Sequence, residues 1–284
     1  MNIKRLLTSL FLLILLISII LLIVYSLPIV KEWKKTKTKR DLPEIRVKKT
    51  LNVVTEYNSI DFHVADDSLA GFQYELCRYI AQRSELSIHL YLENDLETSI
   101  RKLESNAYDV IAQSIPITNE NKKFLAFTIP IAHSKQVLVQ RKRTDSDPDS
   151  VLFIANQLDL ANQTVYVTNN SPAILRLNHL SEEIAEPIYI KEIAHYTSEQ
   201  LIYMVDKKDI DYAVVDKEIA LKNADLFPNL DYNTDITFTQ LQAWALRKTS
   251  PILLDSLNVW ITEFKKTRRD AARNASTKSI TINF

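Results

Sequence analysis

Residues 50–112 read TLNVVTEYNSIDFHVADDSLAGFQYELCRYIAQRSELSIHLYLENDLETSIRKLESNAYDVIA, and the order of apolar patterns within them decides the fold class. Residues 50–55 are a short run of strand type. A polar loop follows through Ser68. Within 72–83, Phe72, Leu76, Tyr79 and Ile80 share one helical face. Residues 86–92 alternate as a strand, 96–103 read as a second helix, and 108–112 as a short buried strand. Strand–helix–strand–helix–strand is the pattern of a parallel sheet covered by helices.

The second half repeats this pattern. Strands are predicted at 136–140, 164–167, 188–190 and 211–215, with helices at 171–180 and 198–205. Residues 142–150 are a turn-rich break. Residues 237–246 read as extended, and 251–264 as a closing helix with Leu253, Leu254, Leu257, Trp260 and Ile261 inward. Two α/β lobes fit this order better than one sheet, and 284 residues are enough to give both a core.

Rare residues narrow the function. The single glycine, Gly71, stands where average usage gives about 20. It excludes the phosphate loop, the dinucleotide fingerprint and the GxSxG nucleophile elbow, each of which needs several glycines. Its own role reads as a turn before the helix. One cysteine, Cys77, excludes an internal disulfide and any Cys-rich metal site, and on a buried helix face it reads as a small hydrophobe. The five histidines are too dispersed for an HExxH helix. Neither a cofactor nor a metal is expected.

The net charge is zero, but unevenly spread. Residues 1–40 carry eight basic side chains and one acid, Glu32, so the remainder is acidic by the same amount. An acidic body argues against nucleic acid as a partner. Residues 6–30 hold no charge and are rich in Leu and Ile. As a helix they would reach about 37 Å, enough to cross a bilayer core of about 30 Å. The run is too long for a cleaved signal peptide and lacks a small-residue cleavage site, so an uncleaved inner-membrane anchor is expected. Residues 31–49 read as a basic stalk. By charge alone the positive-inside rule would hold the body in the cytoplasm, but long domains translocate regardless of flanking charge.

The strings TEYNSIDFHV, AGFQYELCRYIA, TNENKKFLAFTIP, KQVLVQRK, NNSPAILRLNHLSEEI and DIDYAVVDKEIA, in this order, resemble the family-3 extracellular solute-binding proteins. Within them they are most similar to the amino-terminal domain of membrane-bound lytic transglycosylase F and its Bacteroidota relatives. The resemblance implies a two-lobed periplasmic-binding-protein-like fold of type II, preceded here by one transmembrane helix. Lobe 1 would comprise about 50–135 and 237–284, lobe 2 about 140–232, with hinges near 134–141 and 231–237.

It also implies a ligand site between the lobes. Glu56 and Tyr57 would face the cleft from the end of the first strand, with Ser114 and Thr118 on the matching loop. Asp216 would pair with a ligand ammonium; its other reading is a helix N-cap. Ser171 opens a helix that could receive an anion, or simply caps it. Where amino-acid-binding relatives carry an arginine clamp, the string ITNEN places Asn121, which has no charge or guanidinium fork. The lysozyme-like catalytic domain of the transglycosylases is expected to be absent, the Glu104-Ser105 pair being a surface helix end.

The expected function is a non-catalytic, membrane-anchored periplasmic binding or sensor domain. Its ligand would be small, polar and amino-bearing: an amino acid, a peptide or a cell-wall fragment. A separate murein enzyme or a permease would be its partner. Three other readings are an amino-acid transporter receptor, a dehydratase-like enzyme using Glu56 and Asp216 as an acid–base pair, and a scaffold whose cleft no longer binds anything.

Overall fold

A computed structural model describes residues 13–19, 40–143 and 151–278. The chain divides into two units, Met1–Lys39 and Arg40–Phe284. In the first, residues 13–19 are helical, with Leu13, Ile14, Leu16 and Ile17 exposed. Among the described residues no helix is long and apolar enough to cross a membrane. The rest of the expected anchor, the stalk through residue 39 and residues 144–150 of the break lie outside the described residues.

The stalk predicted through residue 49 needs a correction, because residues 40–49 belong to the folded body. Helix α1 (Leu42–Lys48) opens on Asp41 with a complete capping box to Glu44, and it buries Leu42 and Ile45. The surrounding basic residues mask this start signal in the sequence. Asp41 also accepts hydrogen bonds from the Leu253 and Ile252 N–H groups, at 2.8 and 3.2 Å, where the closing helix begins. One carboxylate thus caps two helices.

Strand β1 (Thr50–Thr55) lies between β4 (Ser87–Leu92) and β5 (Val110–Pro116), parallel to both. A small hairpin, β2 (His63–Ala65) and β3 (Ser68–Ala70), fills the loop after β1. Strand β13 (Gln240–Arg247) returns antiparallel to β5 and carries β6 (Leu125–Phe127) and β7 (Ala132–Ser134) beyond it. On one face pack helix α2 (Phe72–Ser84), through Leu76 and Ile80, and the closing helix α8 (Pro251–Lys278), through Leu253, Leu257 and Ile261. Trp244 is fully buried between them and the sheet. Helix α3 (Leu96–Glu104) contributes Leu103 to the opposite face, beside Val54, Ile111 and Ala245.

A second, five-stranded sheet runs β10 (Tyr189–Ile193), β9 (Thr164–Thr168), β11 (Ala213–Asp216), β8 (Gln136–Arg141) and β12 (Leu230–Asp231). Its two faces bury separate clusters. Leu138, Val165, Val167 and Val214 meet Leu177 and Leu180 of α5 (Ala173–Ile184) on one side. Val137, Val139, Ala213 and Val215 meet Leu201, Ile202 and Val205 of α6 (Ser198–Asp206) on the other. Both faces of each sheet being covered explains the continuous apolar runs VVT, DVIA and YAVV. The fold is thus a two-lobed periplasmic-binding-protein-like α/β architecture.

The chain passes from the first sheet to the second at Lys135, between β7 and β8, and returns between β12 and β13. Asp235 on the returning segment is ion-paired to Lys135 on the outgoing one, and to Lys217 at 3.2 Å. The two lysines outweigh the effect of partial burial and hold the Asp235 carboxyl below its ordinary value. A charged clip therefore ties both crossings to the second lobe. Burial pushes the Cys77 thiol up to about 12, consistent with an inert core position.

Candidate functional site

In a parallel sheet, ligands are held beyond the carboxyl ends of the strands. Both sheets aim such ends at one cavity of about 420 Å³. Its first-lobe wall is Glu56, Tyr57 and Asn58 after β1, with Glu93, Asn94 and Asp95 after β4. Its second-lobe wall is Thr168 and Asn169 after β9, with Ala194 to Glu199 between β10 and α6. The volume lies within the usual range for small-molecule sites, about 300–1,000 Å³.

The lobes touch directly beside this cavity. The Ser59 N–H and hydroxyl both donate to Glu199 Oε1, at 2.9 and 3.0 Å, and Asn223 Nδ2 donates to Ser59 Oγ at 3.0 Å. Further in, Gln242 Nε2 of the first sheet donates to Asp216 Oδ2 of the second at 3.4 Å. These contacts are a few polar bonds that a hinge motion can break and remake.

Carboxyl groups converge here. Burial above all, then the charge and hydrogen bond of Asp61, then the charges of Asp216 and Glu199, raise the Glu56 carboxyl well above the usual carboxylate range. Burial likewise raises Asp216, against hydrogen bonds from Ser134, the Glu218 N–H and Gln242. Asp61 is held by Asn58 Nδ2 at 2.8 Å and Gln73 Nε2 at 2.9 Å. Gln73 is fixed from behind by the Trp244 indole, which donates to its Oε1 at 2.6 Å. The core thus positions the acid. Among the described residues, no lysine or arginine lines the cavity or pairs with these four carboxyls.

The seven residues singled out from the sequence divide into three sets. Glu56 and Tyr57 line the cavity, Tyr57 being exposed and meeting Phe62 edge to face at 6.4 Å. Asp216 stands within electrostatic reach of Glu56 and also caps α7 (Lys217–Lys222), accepting from the Glu218 N–H at 2.9 Å. The other four sit apart from the cavity wall. Ser114 accepts from Gln73 Nε2 at 3.4 Å, and buried Ser171, two residues before α5, accepts from the Ala173 N–H at 3.3 Å. Thr118 Oγ1 accepts from the Asn121 N–H at 3.0 Å, while Asn121 Nδ2 donates to the Pro116 carbonyl at 3.0 Å. That amide is spent on its own turn, α4 (Asn121–Phe124).

Sequence reading missed Ser59, Asp61, Gln73, Glu199 and Asn223. Glu199 follows the Thr197 N-cap, so it passes for a first-turn acid that suits the helix dipole. Asp61 lies in a polar loop. Its only signal is the distant Gly71, which lets the helix start reach its carbonyl. The Glu104-Ser105 pair closes α3, where Ser105 Oγ bonds the Lys102 carbonyl at 3.0 Å, away from the cavity.

Residues 51–274 match the bacterial extracellular solute-binding proteins, family 3. Among curated proteins, a membrane-bound lytic murein transglycosylase F of Desulfosudis oleivorans is 27% identical over 237 residues, covering 81% of this chain and 49% of its own length. The transglycosylase F of Cellvibrio japonicus is 24% identical over 268 residues, covering 93% of this chain and 50% of its own. This chain therefore spans about half the length of the curated relatives it matches. Among solved structures, holo ArgBP from T. maritima aligns with a TM-score of 0.65 at 23% identity, over 79% of this chain and 94% of that one. AbpA from Streptococcus pneumoniae, an amino acid ABC transporter substrate-binding protein bound to L-arginine, gives 0.66 at 18% identity, over 80% and 93%. These likenesses agree with the two-lobed fold, and the chain belongs to the bacterial extracellular solute-binding proteins of family 3.

Proposed function

We propose that this chain is a membrane-anchored periplasmic sensor domain. It clamps a small, polar, amino-bearing ligand between its lobes and catalyses no reaction of its own. The observation that carries this reading is the strand-end cavity, bridged beside its mouth by Ser59, Glu199 and Asn223. Ligand that strengthens the bridge would hold the lobes together about the Lys135–Asp235 clip. The transglycosylase F relatives favour a cell-wall fragment or peptide as ligand and a separate murein enzyme as partner. The arginine-bound structural neighbours favour an amino acid, and with it a permease. A raised Glu56 beside Asp216 favours the acid–base reading, which predicts turnover rather than simple binding.

The test is a thermal-shift screen with amino acids, dipeptides and muropeptides. A ligand at about 100 times its Kd stabilises by about 2.7 kcal/mol, or roughly 5–10 °C for a body of this size. No shift with any class would remove the binding reading, and ligand turnover would favour the enzyme.

Localisation has its own test. Residues 6–30 supply the anchor in this proposal, with the body in the periplasm against the local charge bias. Alkaline phosphatase fused after Phe284 is expected to be active in cells. An inactive fusion, with a cytoplasmic reporter active at the same position, would place the body on the other side.

A further inference from the structure

The cleft has a well-furnished receptor for positive charge and a dismantled one for negative charge. Glu56 and Glu199 line the cavity from opposite lobes, with Asp61 bonded to Glu56 and Asp216 within its electrostatic reach; the other partners of Asp61, Asp216 and Glu199 among the described residues are amides, hydroxyls and backbone N–H groups. None of these partners offsets charge. The half-buried Glu56 lines the cavity, and the charges that act on its carboxyl are those of other acids. Two exposed aromatic rings, Tyr57 and Tyr196, form part of the same cavity wall, and ring faces attract cations.

A ligand carboxylate finds no such welcome. Among the described residues no lysine or arginine lines the cavity, and Asn121, apart from its wall, has its amide turned back onto Pro116. Lys135 and Lys217 are spent on Asp235. A carboxylate entering the cleft would instead face like charges, which are repulsive and poorly screened in a partly enclosed site.

Building on the solute-binding reading above, we infer that the ligand is an organic dication without a carboxylate: a diamine or amino-guanidine. One cationic group meets Glu56, backed by the charges of Asp61 and Asp216, and the other lies toward Glu199 between the two tyrosines. The cation supplies what the lobes lack when they approach each other, a positive charge between facing acids.

The proton balance follows. A cation beside Glu56 favours its ionised form, so binding releases a proton and affinity rises with pH. The other titratable groups around Glu56 are Tyr57, Glu93, Asp95, His195, Tyr196 and Glu199 on the cavity wall, with Asp61 and Asp216 behind it.

The experiment is calorimetry on the full chain in detergent, using ligand pairs that differ only in the carboxylate: 1,5-diaminopentane against L-lysine, and agmatine against L-arginine. The decarboxylated member is expected to bind at least tenfold tighter in each pair. 5-Amino-1-pentanol, with one cation removed, should lose at least tenfold against the diamine. Glu199→Gln, which keeps an acceptor for Ser59, should weaken the diamine by a similar factor. Titrations in buffers of different ionisation enthalpy should reveal proton release. Equal or tighter binding of lysine and arginine would overturn the inference, as would a Glu199→Gln variant with parental affinity. If a dipeptide or muropeptide binds while neither decarboxylated ligand does, the inference falls and the solute-binding reading stands. If none of these compounds binds, that reading falls and takes the inference with it.

Discussion

Replacing Asp109 by alanine is expected to lower the unfolding midpoint by about 10 °C, with a loss of about 3–5 kcal/mol. Asp109 is fully buried. Arg40 grips it with Nε at 2.5 Å and Nη2 at 2.7 Å, Arg247 Nη2 reaches it at 3.1 Å, and the Asn52 N–H of β1 donates to it at 3.0 Å. Burial pulls the Arg247 guanidinium below its ordinary value despite this carboxylate, which shows how costly the site is for a lone charge. Removing the acid strands two guanidinium groups at the ends of the central strands β1, β5 and β13. The chain entry loosens too, because Arg247 Nη2 and Ser250 Oγ both hold the Arg40 carbonyl, at 3.0 and 2.9 Å. Urea unfolding of the parent and of Asp109→Ala checks this. A loss below about 1 kcal/mol would mean that water reaches the arginines and that the pair is effectively a surface one.

This network also shows where sequence reading stops. The periodic apolar runs were legible because their partner is the bulk core, which any apolar side chain satisfies. β1 begins and ends where TLNVVT predicts, and α2 buries Leu76 and Ile80 as its spacing demands. The strand expected at 108–112 instead runs over Val110–Pro116, because Tyr108 and Asp109 are taken up by tertiary contacts with Lys102, Arg40 and Arg247. The basic run before residue 50 reads as solvated stalk, yet Arg40 finds its counter-charge 69 residues away. A one-dimensional pattern carries no trace of such a pairing.

The candidate site divides in the same way. Asp216 was legible because an N-cap is a local signal, and the structure gives it that role whatever else it binds. Asn121 could be seen to lack charge, but its bond to Pro116 depends on a turn that forms only in the folded chain. Gln73 was hidden by its place on a helix face otherwise apolar. It is fully buried there because the Trp244 indole N–H and the Asp61 carboxylate need a partner that both accepts and donates.

Gly71→Ala is expected to damage both the fold and the cleft. Gly71 has φ +119° and ψ 157°, a region that side-chain-bearing residues enter at a cost of about 1–3 kcal/mol. Space is lacking as well. A Cβ there would stand 2.3 Å from the Asp61 carbonyl oxygen and 2.8 Å from the Phe62 nitrogen. Both are backbone atoms, so relief requires moving the loop itself. That loop is pinned by the hydrogen bonds that start α2: Phe72 N–H to the Ile60 carbonyl at 2.8 Å and Gln73 N–H to the Asp61 carbonyl at 3.0 Å. Strain and overpacking together should cost about 2–5 kcal/mol. The same shift drags the Asp61 carboxylate from Asn58 and Gln73, so the acid facing Glu56 is misplaced and Ser59 loses its register with Glu199. Ligand affinity should therefore drop at least tenfold in whatever fraction remains folded. Urea unfolding measures the first effect, and calorimetry under native conditions, with circular dichroism to confirm the fold, measures the second. Parental stability would show that the loop yields cheaply. Lost stability with parental affinity would show that Asp61 is positioned by Gln73 and Trp244 alone, independently of the glycine turn.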